Sequence, residues 1–369
     1  THLDRDRFEP FLYVVYRSGP LLPLVPADVP LVAFEERDPR PPSAWPGAMH
    51  RRRVDDLRRY LTDVNAHVSY DRTFLMTLVA ADAAQQAGVP NVSTIVTNPS
   101  TGFAPVAGRF QWFKKRSLRR LYRQSARVLA VSGGAARDAE RFYGLAAGSV
   151  ETLYNGVDAA AIAQQAKQAI DSSWWNADAA DGRTVVRVVS AGRLNHEKGF
   201  HLLISAVAEL QRESPGTEYR LALLGEGDHR LELQAQIDEA GLTDQVSLPG
   251  FRGDAAAWFR SANVFVLPSL VEGMPNVLLE AMACGTPVIS SRCPHGPEEI
   301  LDDNRYGLLC DVNSVDGIAT ALREVVGDSA AAGKRAEAAV DRIHTVFSQD
   351  VAVRQLEDLL TDAVRSRES

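Results

Sequence analysis

Cysteine is scarce in this chain: Cys284, Cys293 and Cys310 are the three among 369 residues. An odd set, lying in or beside apolar stretches, excludes a disulfide framework and leaves reduced core thiols as the expectation. Long apolar runs are also lacking. None approaches the ~20 residues of a membrane-spanning helix, and no signal peptide opens the chain, so the expected location is cytoplasmic. Metal-ligand clusters are missing too. Cys293-Pro-His295 brings two ligand types without a partner cluster, and no carboxylate group has the look of a Mg²⁺ site; no metal and no cofactor are expected.

What is present is an ordinary soluble globular composition, 45% hydrophobic and 24% charged, on a chain too long for one typical core. Two domains are expected, at 1–170 and 171–346, with a final helical segment at 347–369. The net charge of −7 hides an asymmetry. Residues 1–170 carry 22 Lys and Arg against 16 Asp and Glu, leaving 18 against 31 of the totals of 40 and 47. A basic first half and an acidic second half exclude general nucleic-acid binding and point to a local anionic partner of the first half.

The first half reads as a strand at Phe11–Tyr16, a proline-rich loop at 38–47, a basic helix at 49–64, a short strand at 65–68 and a helix at 73–87. A strand at Val92–Val96 then empties into Thr97-Asn98-Pro99, where open α/β sheets bind ligands. Gln111 to Arg123, within a basic stretch at 109–127, is a basic helix with two aromatics at its start. It is either a solvated charged face or, with the helix at 49–64, a docking surface for an anionic membrane. Strands at 127–132 and 150–154 follow, and an Ala/Gln/Ser-rich connection at 159–182 with a helix in it.

The second half alternates strand and helix, which implies a parallel sheet covered by helices. Its first strand, 184–190, ends in Ala-Gly-Arg-Leu-Asn-His-Glu-Lys-Gly199. There Gly192 permits close approach, and Arg193 and Lys198 offer a fork and a point charge to a diphosphate; exposed loop residues are the plainer reading. Tyr219–Leu224 ends in Gly225-Glu-Gly227, with Arg230 where a third glycine would complete a dinucleotide fingerprint, so a nucleotide but no dinucleotide is expected.

The centre of the reading is Val264 to Ser290: strand, loop, helix, strand. Pro275 pre-sets the first helical turn, leaving amides from Met274 to Leu278 as a seat for phosphate. Glu272 lies before that end and Glu280 inside it. Facing a diphosphate, both would repel it, so they suit neutral hydroxyls such as a sugar or ribose diol. A surface glutamate on an ordinary helix is the alternative for Glu280.

Glu272-Gly273-Met274-Pro275-Asn276-Val277-Leu278-Leu279-Glu280, with the following Ala-Met-Ala-Cys-Gly-Thr-Pro-Val-Ile, resembles the Glu-x7-Glu segment of family 4 retaining glycosyltransferases. Asn155-Gly-Val-Asp158 resembles the end of that family's first domain. The resemblance implies the GT-B fold: two Rossmann-like doubly wound domains facing across a cleft, with the last helix crossing back to the first. It implies transfer of a hexose or hexosamine, with retention, from a nucleotide-diphosphate sugar to an acceptor hydroxyl, the acceptor being a sugar or a lipid-linked sugar. Cell-surface polysaccharide or glycolipid assembly is the implied setting, and Cys293-Pro-His-Gly-Pro-Glu-Glu-Ile resembles a variant associated with uridine-linked donors.

By the same resemblance Glu272, Arg193 and Lys198 are catalytic, Glu280 holds the ribose, and Phe251 and Arg252 lie by the base. Thr97 or Asn98 stands where many members have a histidine near the donor sugar. The family's first strand has no counterpart before Phe11, so its central place in the first sheet is expected to be a gap and the natural protein to be longer. A nucleotide-sugar epimerase or hydrolase on the same architecture, or a non-catalytic nucleotide-sugar-binding protein, remains the alternative.

Overall fold

A computed structural model of the chain describes residues 2–19, 21–41, 45 and 47–368. These form two compact units, residues 1–154 with 352–369 and residues 155–351.

In the first unit β1 (Leu12–Val14) and β2 (Leu31–Ala33) pair in parallel, and α1 (Phe34–Arg37) and α2 (Ala48–Asp63) follow. The expected loop at 38–47 includes residues 42–44 and 46, which lie outside the described residues. Then come β3 (Ser69–Arg72), α3 (Phe74–Ala87), β4 (Asn91–Ile95), α4 (Pro99–Ala107), α5 (Gln111–Gln124), β5 (Arg127–Ala130), α6 (Gly133–Tyr143) and β6 (Glu151–Thr152). The last four strands form a parallel sheet in the order β3-β4-β5-β6. Among the described residues β1 and β2 pair only with each other, so the strands of this unit stand in two pieces.

The strand expected at 65–68 is a turn. Asn65 takes a left-handed φ of 49°, and Ala66 donates back to Leu61 O at 2.9 Å, which closes α2. β3 instead starts at Ser69, which donates to Pro90 O at 2.9 Å. Its Ser-Tyr-Asp-Arg sequence looks like a loop because Asp71, only 4% exposed, is buried by partners distant in sequence. Thr77 Oγ1 donates to one carboxylate oxygen; Asn91 Nδ2 and Ser93 Oγ donate to the other, each at 2.9 Å. Burial nevertheless dominates and pushes the Asp71 carboxyl up to about 6.

The second unit opens with α7 (Ala159–Gln165) and α8 (Ser173–Asn176). It continues β7 (Thr184–Ala191), α9 (Phe200–Glu213), β8 (Thr217–Leu224), α10 (Arg230–Glu239), β9 (Val246–Gly250), α11 (Ala255–Ser261) and β10 (Val264–Leu267). α12 (Asn276–Ala283), β11 (Val288–Ser291), α13 (Pro297–Leu301), β12 (Leu308–Cys310), α14 (Val315–Gly327) and α15 (Ser329–Thr345) complete it. The final helix, α16 (Gln349–Glu368), carries the chain across the boundary, and its Leu360 and Ala363 pack with Val92, Leu129 and Leu153 of the first unit.

The division falls between Tyr154 and Asn155 rather than at 170. The reason is α7: it packs against α11 and α12 and so belongs to the second unit instead of a free connection. Six parallel strands lie in the order β12-β11-β10-β7-β8-β9. Val188, Leu221, Val266 and Ile289 are buried against α9 and α14 on one face, while Phe265 is buried with Phe259 of α11 on the other. Burial on both faces explains the continuous apolar runs. The strand order reverses between β7 and β10, and beyond the carboxyl ends of strands at such a reversal α/β sheets bind their ligands.

Candidate functional site

Backbone bonds draw the ends of β7, β8 and β9 together. Gly192 N donates to Leu224 O at 3.0 Å and Gly225 N to Gly250 O at 2.8 Å. Gly225 has φ +136°, and a Cβ there would lie 2.0 Å from Gly192 O; a side chain would force the two loops apart.

The turn after β7 is fastened to the loop after β10 at two points. Leu270 N donates to Glu197 O at 2.8 Å, and Lys198 Nζ meets Glu272 Oε1 at 2.6 Å. Ser269 Oγ also donates to that oxygen, at 2.7 Å. The Lys198 stem passes Gly192, where a Cβ would touch its Cε at 3.4 Å. Residues 74 apart in sequence thus become an ion pair, and an approaching anion meets a lysine whose charge Glu272 already balances.

Beside this pair lies a concavity of about 850 Å³ contained within the second unit. Gly192, Arg193, Gly225, Phe251, Arg252, Asn276, Val277 and Glu280, all anticipated from sequence, line it. Arg193 is exposed and, among the described residues, has no hydrogen-bond or ion-pair partner. Glu280 is likewise without a partner there, and burial alone raises its carboxyl above the usual range. The half-buried Glu280 carboxylate, without a partner among the described residues, is costly unless a ligand offers it donors, while the solvated Arg193 guanidinium in the same cavity is open to an anion.

Several expected members stand elsewhere. Lys198, Glu272, Gly273, Met274, Pro275 and Leu278 are not in the cavity wall. The Met274 side chain is 8% exposed and that of Leu278 fully buried. Leu278 N donates to Pro275 O at 3.0 Å, so the run of partnerless amides ends at Val277, one short of the expected row; those of Asn276 and Val277 are left by helix geometry. Arg252 is engaged in its own loop, donating to both oxygens of Asp254 at 2.8 Å with its guanidinium over the Trp258 ring. Phe251, 81% exposed, is the open group of that pair.

Sequence reading missed the wall contributed by Asp158, Ala161, Ile162, Gln165 and Gln349. Asp158 was the available signal: as N-cap it accepts from Ala161 N at 2.9 Å, and so starts α7 against the cavity. In the first unit, Thr97 is exposed and Asn98 is 3% exposed. Asn98 therefore lies inside the wall of the loop after β4, not on its surface. Cys293 is buried, which pushes its thiol up to about 11. Among the described residues no group of three or more His, Cys, Asp or Glu is placed to hold a metal ion, and no helix is long and apolar enough to cross a membrane.

Two family descriptions match successive parts of this chain: Glycosyltransferase Family 4 over residues 1–161 and Glycosyl transferases group 1 over residues 181–342. The chain belongs to the family 4, group 1 glycosyltransferases.

Among curated relatives, it is 36% identical over 163 residues to the lipopolysaccharide core biosynthesis glycosyltransferase LpsE of Rhizobium meliloti, a match covering 44% of this chain and 46% of LpsE. It is 30% identical over 210 residues to a Campylobacter jejuni N-acetylgalactosaminyltransferase acting on a diphospho-undecaprenol substrate, covering 56% of this chain and 53% of that enzyme. The chain thus spans about half the length of these relatives. Its fold is that of the GT-B glycosyltransferases. A Rickettsia africae glycosyltransferase superposes with a TM-score of 0.76 at 15% identity, over 96% of this chain and 90% of that one. Anabaena HepE, solved with UDP and glucose, gives 0.74 at 22%, over 95% and 91%.

Proposed function

We propose that this chain transfers a hexose or hexosamine, with retention at the anomeric carbon, from a uridine diphosphate sugar to a hydroxyl of a sugar or lipid-linked acceptor. The observation that carries this reading is that Arg193 and Glu280, neither with a partner among the described residues, line one cavity beside the start of α12. Arg193 and the Asn276 and Val277 amides bind the diphosphate, Glu280 accepts from the ribose hydroxyls, and Phe251 lies along the base. Glu272 orients the donor sugar through its hydroxyls, and Lys198, held beside it, stabilises the charge that grows on the leaving phosphate. A phosphate oxygen of the leaving group takes the acceptor proton, and no metal is needed. Thr97, at the carboxyl end of β4, is the acceptor-side candidate.

Calorimetric titration with UDP tests this. Glu280→Ala is expected to weaken binding by ~1.5–3 kcal/mol, the worth of a charge-assisted contact. The pH dependence has a definite sign. Because the carboxyl is raised in the free protein and the diol needs the ionised form, affinity climbs as pH rises through that raised value and binding releases a proton. Unliganded stability, by the same shift, declines over that interval. A Glu280→Gln protein that keeps the pH dependence, or a wild-type protein indifferent to UDP, rejects the assignment.

The partner of the first unit in this proposal is an anionic membrane on the cytoplasmic side. At the turn from α4 into α5, Val106, Phe110, Trp112 and Phe113 are 57%, 62%, 65% and 62% exposed, next to the basic residues of α5. The helix at 49–64 fits this role less well, since Arg52 of α2 is bound to Asp38 and Arg53 to Tyr16. At low salt the protein should sediment with liposomes containing acidic lipid; equal binding to neutral liposomes removes the membrane from the proposal.

A further inference from the structure

Asn155 Nδ2 donates to Asn276 Oδ1 at 2.9 Å, a bond between residues 121 apart that neither a turn nor a helix cap requires. Asn276 is the first residue of α12, is exposed, and lines the cavity. Pro275 precedes it as an N-cap with no side-chain cap bond. Nothing in its own helix fixes the Asn276 amide group; Asn155 does.

The donor is itself held firmly. Two residues on, Val157 bridges to Ser348 in parallel, with Val157 N donating to Phe347 O at 2.9 Å and Gln349 N to Val157 O at 3.0 Å. One residue further, Asp158 caps α7, which packs on α12. The segment 155–158 is therefore bound to the body of the unit on both sides, and a rigid donor transmits its orientation better than a loop residue would.

We infer that Asn155 is a positioning residue for the anion-binding end of α12: by occupying Asn276 Oδ1 it directs the Asn276 NH₂ group into the cavity. An amide has an acceptor end and a donor end. Turned the other way, it would present oxygen to the diphosphate beside the partnerless Asn276 and Val277 amides, and repel it. The inference rests on the proposed nucleotide site.

The experiment is a double-mutant cycle read by calorimetric UDP titration on the full chain, with Asn155→Ala, Asn276→Ala and the pair. Asn155→Ala is expected to weaken UDP binding about 5-fold, the effect of one hydrogen bond, in the wild-type background and less than about 2-fold when Asn276 is already alanine. Asn155→Asp accepts where Asn155 donates. It should reverse the Asn276 amide and bind UDP no better than Asn155→Ala, again only while Asn276 is present, with the thermal midpoint unchanged. Equal losses from Asn155→Ala in both backgrounds overturn the positioning role while leaving the nucleotide site intact. A wild-type protein that takes up no UDP overturns both.

Discussion

Lys198→Ala is expected to lower kcat by about 10²–10³-fold, the loss seen when one preorganised donor to a developing negative charge is removed, with a much smaller change in KM. The split follows from the geometry. In the unliganded protein the ammonium is balanced by Glu272 at 2.6 Å, and a ground-state diphosphate gains little from a cation already spoken for. In the proposed reaction, charge accumulates on the leaving phosphate as the bond to the anomeric carbon breaks, and a lysine held by Glu272, the residue proposed to orient the sugar, can shift its weight to that charge without reorganising the loop. Steady-state kinetics with a UDP sugar, together with UDP titration, separate the two quantities. A variant with normal kcat and raised KM would place Lys198 in uniform donor binding and not in the chemical step. Lys198→Arg should rescue poorly, because a planar fork does not fit where a compact point charge sits over Gly192.

The second sheet and most of its loops were legible because their signals are local. Buried parallel strands read as apolar runs, and Pro275 marks the start of α12. Glycines at 192 and 225 showed where backbones approach, although not that Gly225 lies against Gly192 itself. What escaped was decided by distant partners. β3 was misplaced because Asp71 is paid for by Asn91 and Ser93, and no window around Ser-Tyr-Asp-Arg reveals them. β2, three residues long, is too short to give an alternating pattern. The wall from α7 passed for connection because Ala-Ala-Ala-Ile-Ala-Gln-Gln has the composition of a linker and the propensity of a helix alike. The Lys198–Glu272 and Asn155–Asn276 contacts, spanning 74 and 121 residues, are invisible to any local rule; each residue was singled out or quoted, but not what it would touch. Arg252 is an intermediate case: it lines the cavity as expected, but its guanidinium is also held by Asp254, two residues on, a partner that the sequence reading did not assign.

Gly199→Ala should show how closely the turn after β7 depends on that long-range fit. The residue has φ +67°, and a Cβ on it would stand 2.1 Å from Pro268 O, the backbone leaving β10. Flanking it are the two fastenings already described, Glu197 O to Leu270 N and Lys198 to Glu272. The clash is with backbone at the end of a central strand, so relief requires the turn after β7 to withdraw from the loop after β10. A left-handed φ on a residue bearing Cβ adds ~1–2 kcal/mol to that displacement. The expected outcome is a stability loss of ~3 kcal/mol or more, seen as a lowered unfolding midpoint, and a fall in kcat approaching that of Lys198→Ala. Gly216→Ala, whose Cβ would meet nothing within 4 Å, is the control and should move neither. If Gly199→Ala melts with wild-type and turns over at the wild-type rate, the two loops tolerate separation, and the placement of Lys198 against Glu272 cannot be what organises the site.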